Sequence, residues 1–415
     1  VVKKNKILLY ACLAGFLLRI ICIFWTTSYI DPPDWEYGDI ARNIAAGHGF
    51  ARTAYFSETL ELTSSHAPFY PHVLAIAYSL FPKPWAFLTI QIIQAIISLF
   101  IIMIAFRTAQ LLFNISAANI TALGVALYPP LLYYSMSMTP TVFSLLFLGL
   151  TVWLLLDVHR RTWIRSVFLG LSYGCALLCD PVAFVLVPAA AFWFIISHRR
   201  VTRHVIGALA LAMLVVLPWS IRNLRVHRAC VPITTQFGVN FWIGNNPYAT
   251  GTDYYRVVED QPGHTVLMTN TLSRTEKQKL RAMSEIQRSR YFTNKALGFI
   301  YAKPFDFLWR SVKKTFYYWW FSPGSINGSP LALRYRVLYA LFYIPLLAFA
   351  LFSFALFKLE QHPIDLNLIL ALIVMISSVY IMTHVGLARY RIPIELYLLV
   401  MAGSAMSRLY KVLHA

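Results

Sequence analysis

Four carboxylates pose the chemical question. Asp31, Asp34, Glu36 and Asp39 fall within nine positions, although the whole chain of 415 residues carries only 17 acidic side chains. They follow directly on the apolar stretch 7–30, at the mouth of a hydrophobic segment. A carboxylate at a membrane–water boundary, beside aromatic residues, is partly desolvated; its pKa rises and it can serve as a general base. Tyr37, Ile40, Ala41, Ile44 and Ala45 recur at helical spacing, which predicts an amphipathic interfacial helix capped by Asp34 and ended by Gly47. Its polar side carries Glu36, Asp39 and Asn43. Glu36 is therefore the first candidate base and Asp34 the second, with Tyr37 and Asp39 as candidate substrate contacts. The plainer alternative is a helix cap at Asp34 and solvated interface charges at Asp31 and Asp39.

Cations that could face such a base come from the far end of the chain. Arg389 and Arg391 flank Tyr390 just before Ile392-Pro393, at the start of the last apolar segment. Guanidinium forks suit phosphate, and the place suits a lipid headgroup. Arg222, after "LPWS", and Arg42 are further candidates for a donor phosphate. His66 and His384 could hydrogen-bond an acceptor. No HxxxH-type pair occurs, so no metal site is assigned; no cofactor is firmly implied and a divalent cation stays open. Arg19 lies mid-span and should pair with Asp180 or a helix carbonyl. Lys313 and Lys314 fit anchoring of an amphipathic helix to anionic lipid. A base plus phosphate-binding cations is what glycosyl transfer from a lipid-phosphate sugar requires. The phosphate leaves without a general acid, one carboxylate takes the acceptor's proton, and cations hold the growing charge.

The elements that must position these groups are membrane helices. With 58% hydrophobic and 13% charged residues, the chain has too little polar surface for a soluble protein of its length. About ten segments approach the length of a span: 7–30, 85–106, 115–134, 141–156, 165–179, 182–197, 204–220, 334–357, 364–384 and 392–409. The shorter 69–81 reads as an interfacial or re-entrant helix. The net charge of +19 does not point to nucleic acid, because Lys3, Lys4, Lys6, Arg107, Arg160, Arg161, Arg165, Arg199, Arg200, Arg203, Lys358 and Lys411 fall in loops on one predicted side, the positive-inside pattern. Residues 31–84 and 221–333 then face outward. The expected organisation is an N-terminal membrane module, 1–220, with a first outer loop at 31–84; an outward α/β insert, 221–333, opening on strand-like pieces and closing on an interfacial helix at 304–321; and a C-terminal membrane module, 334–415. A helix is also expected near 274–301. The first segment is too long for a cleaved signal, and "TTSYIDPP" is a poor cleavage site. Five cysteines, four of them in spans, form no disulfide framework.

Short motifs in order carry a family resemblance. "WEYGDIARNIAAGHGF", "APFYPHVLAIAYSLF", "LPWSIRN", "IGNNPYATG" and "ARYRIPIE" together resemble the integral-membrane C-type glycosyltransferases. These include the dolichyl-phosphate-mannose–protein mannosyltransferases of glycosyltransferase family 39 and the bacterial lipid A aminoarabinose transferases. The resemblance implies a polyprenyl-phosphate sugar donor used at the extracytoplasmic face of the cell membrane, with inversion at the anomeric carbon. It implies a lipid, glycan or protein acceptor, membrane lipids as surroundings and no nucleic-acid partner. It sets the catalytic carboxylate in the first loop, Glu36 or Asp34, and donor-phosphate contacts near Arg389 and Arg391. The chain departs from many relatives at Pro140, where they carry an acidic residue before the fourth span, and at Asp180, where they carry arginine before proline. Two other classes compete. A transporter or flippase would line a path through the membrane and show an inverted repeat, and neither is visible. A non-catalytic lipid-glycan binding or assembly subunit fits the two departures.

Overall fold

A computed structural model describes residues 5–53, 59–157, 162–198, 201–251, 272–321, 330–359, 363–384 and 388–414, the side chains of 330–335, 357–359 and 388 excepted. Lys3, Lys4, Arg160, Arg161, Arg199 and Arg200 of the basic-loop pattern lie outside these residues, as does the Lys358 side chain. Among the described residues, seventeen α-helices run in chain order. Those long and apolar enough to cross a membrane are α1 (Lys6–Trp25), α4 (Trp85–Leu112), α10 (Arg203–His227), part of α15 (Pro330–Leu359), α16 (Leu366–Thr383) and α17 (Ile392–Leu413, with the turn before it). The expected segment 115–134 forms α5 (Ile115–Leu127) and α6 (Pro129–Met136), bent by 48° at a single break. Pro129 and Pro130 open α6, where they cost no intrahelical bond. The three remaining expected segments are shorter apolar helices: α7 (Thr141–Leu156), α8 (Trp163–Cys179), and a 3-10 turn (Pro181–Val185) leading into α9 (Leu186–Ile196).

Close helix approach depends on small residues, as in other membrane bundles. A Cβ on Gly170 of α8 would lie 2.6 Å from the Ala208 carbonyl of α10, and one on Gly403 of α17 would lie 2.3 Å from Thr121 Oγ1 of α5. Polar pairs mark one end of the bundle: Asn5 donates to Asn119 at 2.7 Å, Ser407 to Asn114 at 3.3 Å, and Ser166 meets His204 at 3.2 Å. The described basic residues Lys6, Arg107, Arg165, Arg203 and Lys411 belong to helix ends on that side. Arg19, buried within α1, donates to the carbonyls of Gly15 and Ala126, so of its two expected partners it takes helix carbonyls.

The opposite end carries the inserts. The first holds α2 (Trp35–Ala45), the antiparallel hairpin β1 (Ala51–Thr53) and β2 (Leu60–Leu62), and α3 (Phe69–Leu80). The second differs from expectation at its start. α10 runs past residue 220 to His227, and the strand-like stretch after it folds as α11 (Phe237–Gly244). The helix expected near 274–301 is two, α12 (Arg274–Arg281) and α13 (Glu285–Ala302), each opened by a capping box, Ser273 with Glu276 and Ser284 with Gln287. α14 (Pro304–Trp319) is the expected basic, aromatic helix.

Candidate active site

Glu36 stands in the first turn of α2, where a helix N-terminus favours negative charge. Asp34 occupies the cap position but its side chain caps nothing, which corrects the expectation. Instead it accepts from the Tyr78 hydroxyl of α3 at 2.9 Å and pairs with Arg42 one helical face along. Arg42 also donates to the exposed Asp39 at 2.5 Å. Gly38 makes this arrangement fit, because a Cβ there would lie 1.9 Å from the Asp34 carboxyl carbon.

Behind α2, Tyr37 meets the His66 ring edge-on at 4.9 Å and the Tyr70 ring at 5.7 Å. His66 is buried, with Nδ1 3.0 Å from Ser65 Oγ. Burial lowers its pKa to about 4; the Glu36 charge opposes that shift and the Arg52 charge adds to it. The imidazole is therefore neutral at pH 7.

The far end of the chain arrives at the same place. Tyr37 feels the charges of Asp180, Arg389 and Glu36 and the Tyr390 hydroxyl, so these groups lie within electrostatic reach of it. Asp180 follows α8, caps the 3-10 turn by accepting from the Val182 N–H at 3.0 Å, and accepts from the Tyr380 hydroxyl at 3.2 Å. Burial raises its pKa against those two hydrogen bonds. Tyr380 stacks on Tyr390 with ring centroids 4.6 Å apart. The Tyr390 hydroxyl lies 2.6 Å from His384 Nε2 and accepts from Arg389 at 2.5 Å. Burial, then the Arg389 and Lys314 charges, lower the His384 pKa to about 3.

The second insert fixes this loop through α11 and α14. Gly244 sits where a Cβ would lie 2.1 Å from the His384 carbonyl, and Asn245 donates to the Met382 carbonyl at 2.9 Å. Asn245 also accepts from Lys314 at 3.0 Å. Lys314 belongs to the buried face of α14 with Ser311 and Tyr318. Burial, then the Arg310 charge, lower its pKa to about 7.

The other candidate cations hold protein groups. Arg391 is fully buried; it donates to Glu395 at 2.7 Å, to the carbonyls of Tyr318 and Trp320 and to the Tyr339 hydroxyl, and lies 3.7 Å over the Tyr343 ring. Arg222 donates to the carbonyls of Thr63 and Phe50 and to Ser64 and Asn223, stacked on Trp219. Geometry thus brings together Glu36, Tyr37, His66, His384, Arg389 and Tyr390, and leaves Asp34, Asp39 and Arg42 as a bracket on α2. It adds Asp180, Tyr380, Asn245 and Lys314. The signal for Asp180 was an acidic residue between two apolar segments; for Lys314 it was the helical phase shared with Ser311 and Tyr318. Among the described residues no group of three His, Cys, Asp or Glu side chains is placed to hold a metal ion.

Residues 65–221 match the family model of the dolichyl-phosphate-mannose-protein mannosyltransferases. No curated protein matches the chain. Among solved structures it is similar to the Archaeoglobus fulgidus oligosaccharyltransferase in the apo form, with a TM-score of 0.60 and 16% identity over 99% of this chain and 51% of that one. The archaeal oligosaccharyltransferase AglB from Archaeoglobus fulgidus, in complex with an inhibitory peptide and a dolichol-phosphate, gives a TM-score of 0.56 at 16% identity, over 99% of this chain and 50% of that one. ArnT from Cupriavidus metallidurans bound to undecaprenyl phosphate gives 0.55 at 14% identity, over 97% of this chain and 60% of that one. The chain spans about half the length of the archaeal proteins. It is thus a multi-pass membrane protein with the C-type glycosyltransferase fold, and over residues 65–221 it is similar to the protein mannosyltransferases.

Proposed function

We propose that the chain is an inverting glycosyltransferase that moves a sugar from a polyprenyl-phosphate donor to an acceptor hydroxyl at the extracytoplasmic face of the membrane. The observation that carries this reading is that Glu36 from the first loop, Asp180 from the chain's middle, and Arg389 and Tyr390 from the turn before the last helix all lie within electrostatic reach of Tyr37, with Tyr37 packed on His66 and Tyr390 on His384. Similarity to structures that hold a dolichol-phosphate and undecaprenyl phosphate supports the donor class.

In this reading Glu36 is the base, because it stands in the first turn of α2 next to Tyr37, on which Asp180, Arg389 and Tyr390 also act, whereas Asp34 braces α2 through Arg42 and Tyr78. The acceptor oxygen bonds to the anomeric carbon while its proton passes to Glu36. The bond from that carbon to the phosphate oxygen breaks on the opposite face, its electron pair stays on the phosphate, and the configuration inverts. Arg389, and Lys314 when protonated, offset the charge that grows there. The neutral imidazoles of His66 and His384 and the hydroxyls of Tyr37 and Tyr390 supply uncharged hydrogen bonds to sugar or phosphate. Arg391, Arg222 and Arg42 fix the turn, the loop and the helix that carry the reacting groups.

The test supplies the purified protein with a panel of polyprenyl-phosphate sugars and measures release of lipid phosphate. Glu36→Gln should lower kcat by about 10²–10⁴ with an unchanged melting temperature. Full activity in that variant would reject the base assignment. Release from none of the donors would reject the transferase reading.

A further inference from the structure

The two sides of α14 meet different surroundings. Ser311, Lys314 and Tyr318 form its buried side. On the opposite side Phe305, Leu308, Trp309, Val312 and Phe316 recur at the helical period, and each is more than half exposed. A polar edge between the two sides carries Asp306 and Lys313, both exposed. Lys313 lies 5.4 Å over the Trp309 ring. A contiguous apolar stripe of this kind on a protein surface calls for something that covers it.

The position of α14 selects the cover. Tyr318 is fully buried in the same apolar core as residues of α15, α16 and α17. The Trp319 carbonyl accepts from Tyr343 of α15 at 2.9 Å, and Phe321 packs edge-on against the Tyr339 and Tyr343 rings. Tyr343 lies about two turns inside the span that starts at Arg336. α14 therefore ends against the flank of a span, not above it. Leu338, Leu341 and Phe342 of α15 are exposed there, as lipid-facing residues of a membrane helix are, and the exposed Trp320 carries the stripe on to that surface. Aromatic rings, and a lysine whose stem lies along apolar surface, suit the headgroup boundary. The buried side of the same helix reaches the candidate site. Lys314 donates to Asn245, Arg310 to the carbonyls of Asn246 and Pro247, and Tyr318 to the Tyr390 carbonyl at 3.1 Å.

We propose that the bilayer leaflet on the insert side covers this stripe, with acyl chains against Phe305, Val312 and Phe316 and lipid phosphates at Lys313, and that this seating holds Lys314 and Tyr318 against the site. The contact with lipid stands apart from the transferase reading; its bearing on donor binding rests on that reading. Photocrosslinking tests the contact, on the full chain in nanodiscs of phosphatidylethanolamine and phosphatidylglycerol. Benzoylphenylalanine placed at Val312 should give an adduct heavier by one phospholipid, as it should at Leu341 of α15, and none at the exposed Arg274 of α12. A crosslink from Val312 to a second copy of the chain, or no lipid adduct at Val312 beside one at Leu341, would overturn the proposal. Binding of undecaprenyl phosphate in the same nanodiscs tests the coupling without turnover. Phe305→Ser combined with Val312→Ser should weaken it by about two- to thirtyfold at an unchanged melting temperature, and equal affinity would overturn the coupling. Donor hydrolysis by the unaltered protein reports on the transferase reading alone, so either idea can fail by itself.

Discussion

Lys313 and Lys314 are neighbours in sequence and differ in environment. Lys313 is exposed beside Trp309, whereas Lys314 is fully buried against Asn245. Composition assigns both to lipid headgroups; the phase of α14 separates them, because Lys314 recurs with Ser311 and Tyr318 on the buried side. Asp180 was legible as an isolated acid, but not its partner, since Tyr380 lies 200 positions away. The Lys314 pKa of about 7 makes a prediction with a definite sign. Its unfolded value is near 10.5, so between about 7 and 10.5 the folded chain binds fewer protons than the unfolded one. Its contribution to stability rises with pH through that window and is absent below it. For ligand binding the sign is opposite, because the cation exists below about 7 and fades above it. Binding of undecaprenyl phosphate should therefore weaken from pH 6 to pH 8 by up to about tenfold more in the unaltered protein than in Lys314→Met. The lipid phosphate titrates in the same range, so the difference between the two proteins is the readout. His384→Gln should leave that difference in place, because a histidine with a pKa of about 3 stays neutral throughout. Equal slopes in the unaltered protein and in Lys314→Met would remove the lysine from the phosphate site.

At the scale of elements, helices with strong apolar periodicity were legible, and α11 was not. "FGVNFWIG" has the aromatic and branched residues of a strand. Two glycines decide otherwise by letting backbones touch: a Cβ on Gly238 would lie 1.9 Å from the Ser289 carbonyl of α13, and one on Gly244 would lie 2.1 Å from the His384 carbonyl. No sequence pattern encodes those contacts. α2 depends on the same device. Gly38→Ala should push the Asp34 carboxylate away from Tyr78 and Arg42 and turn the first helical turn that carries Glu36. Displacement near 1 Å costs about 10²-fold in rate in well-aligned sites, so kcat should fall by one to two orders of magnitude while helical circular dichroism stays the same. Full activity would mean that α2 does not set the position of Glu36. The turn before α17 is held differently, by the buried Arg391–Glu395 pair that also binds Tyr128, Tyr339 and the Tyr318 carbonyl. Removing one member strands a charge, so Glu395→Gln should destabilise by about 3–5 kcal/mol, and Arg391→Met with Glu395→Leu should recover most of it. Unfolding in detergent measures both. A double variant as unstable as the single one would show that the pair supports the turn by hydrogen bonding alone.

At the scale of the molecule, the sequence supports a many-helix bundle because apolar runs of span length need no partner to be recognised. It says less about how short helices share the work: 141–156, 163–179 and 181–196 are each below the length of a full span, and only packing shows them beside α10, α4 and α16. Charge placement does survive folding. Lys6, Arg107, Arg165, Arg203 and Lys411 belong to helix ends opposite the inserts, while Glu36, Asp180, His384 and Arg389 gather under them. Positive residues favour the cytoplasmic side, so the inserts and the site should be extracytoplasmic. The chain carries its own reporter. Cys230 is exposed at the foot of the second insert, while Cys12, Cys22, Cys175 and Cys179 are wholly or partly buried in apolar helices. A membrane-impermeant maleimide should label right-side-out vesicles, and Cys230→Ser should abolish that label. A cysteine introduced by Arg107→Cys in a Cys230→Ser background should react only in inverted vesicles. Labelling of Cys230 from the inverted side alone would turn the bundle over and move the proposed transfer to the cytoplasmic face, where the basic loops would then have to be explained against their usual preference.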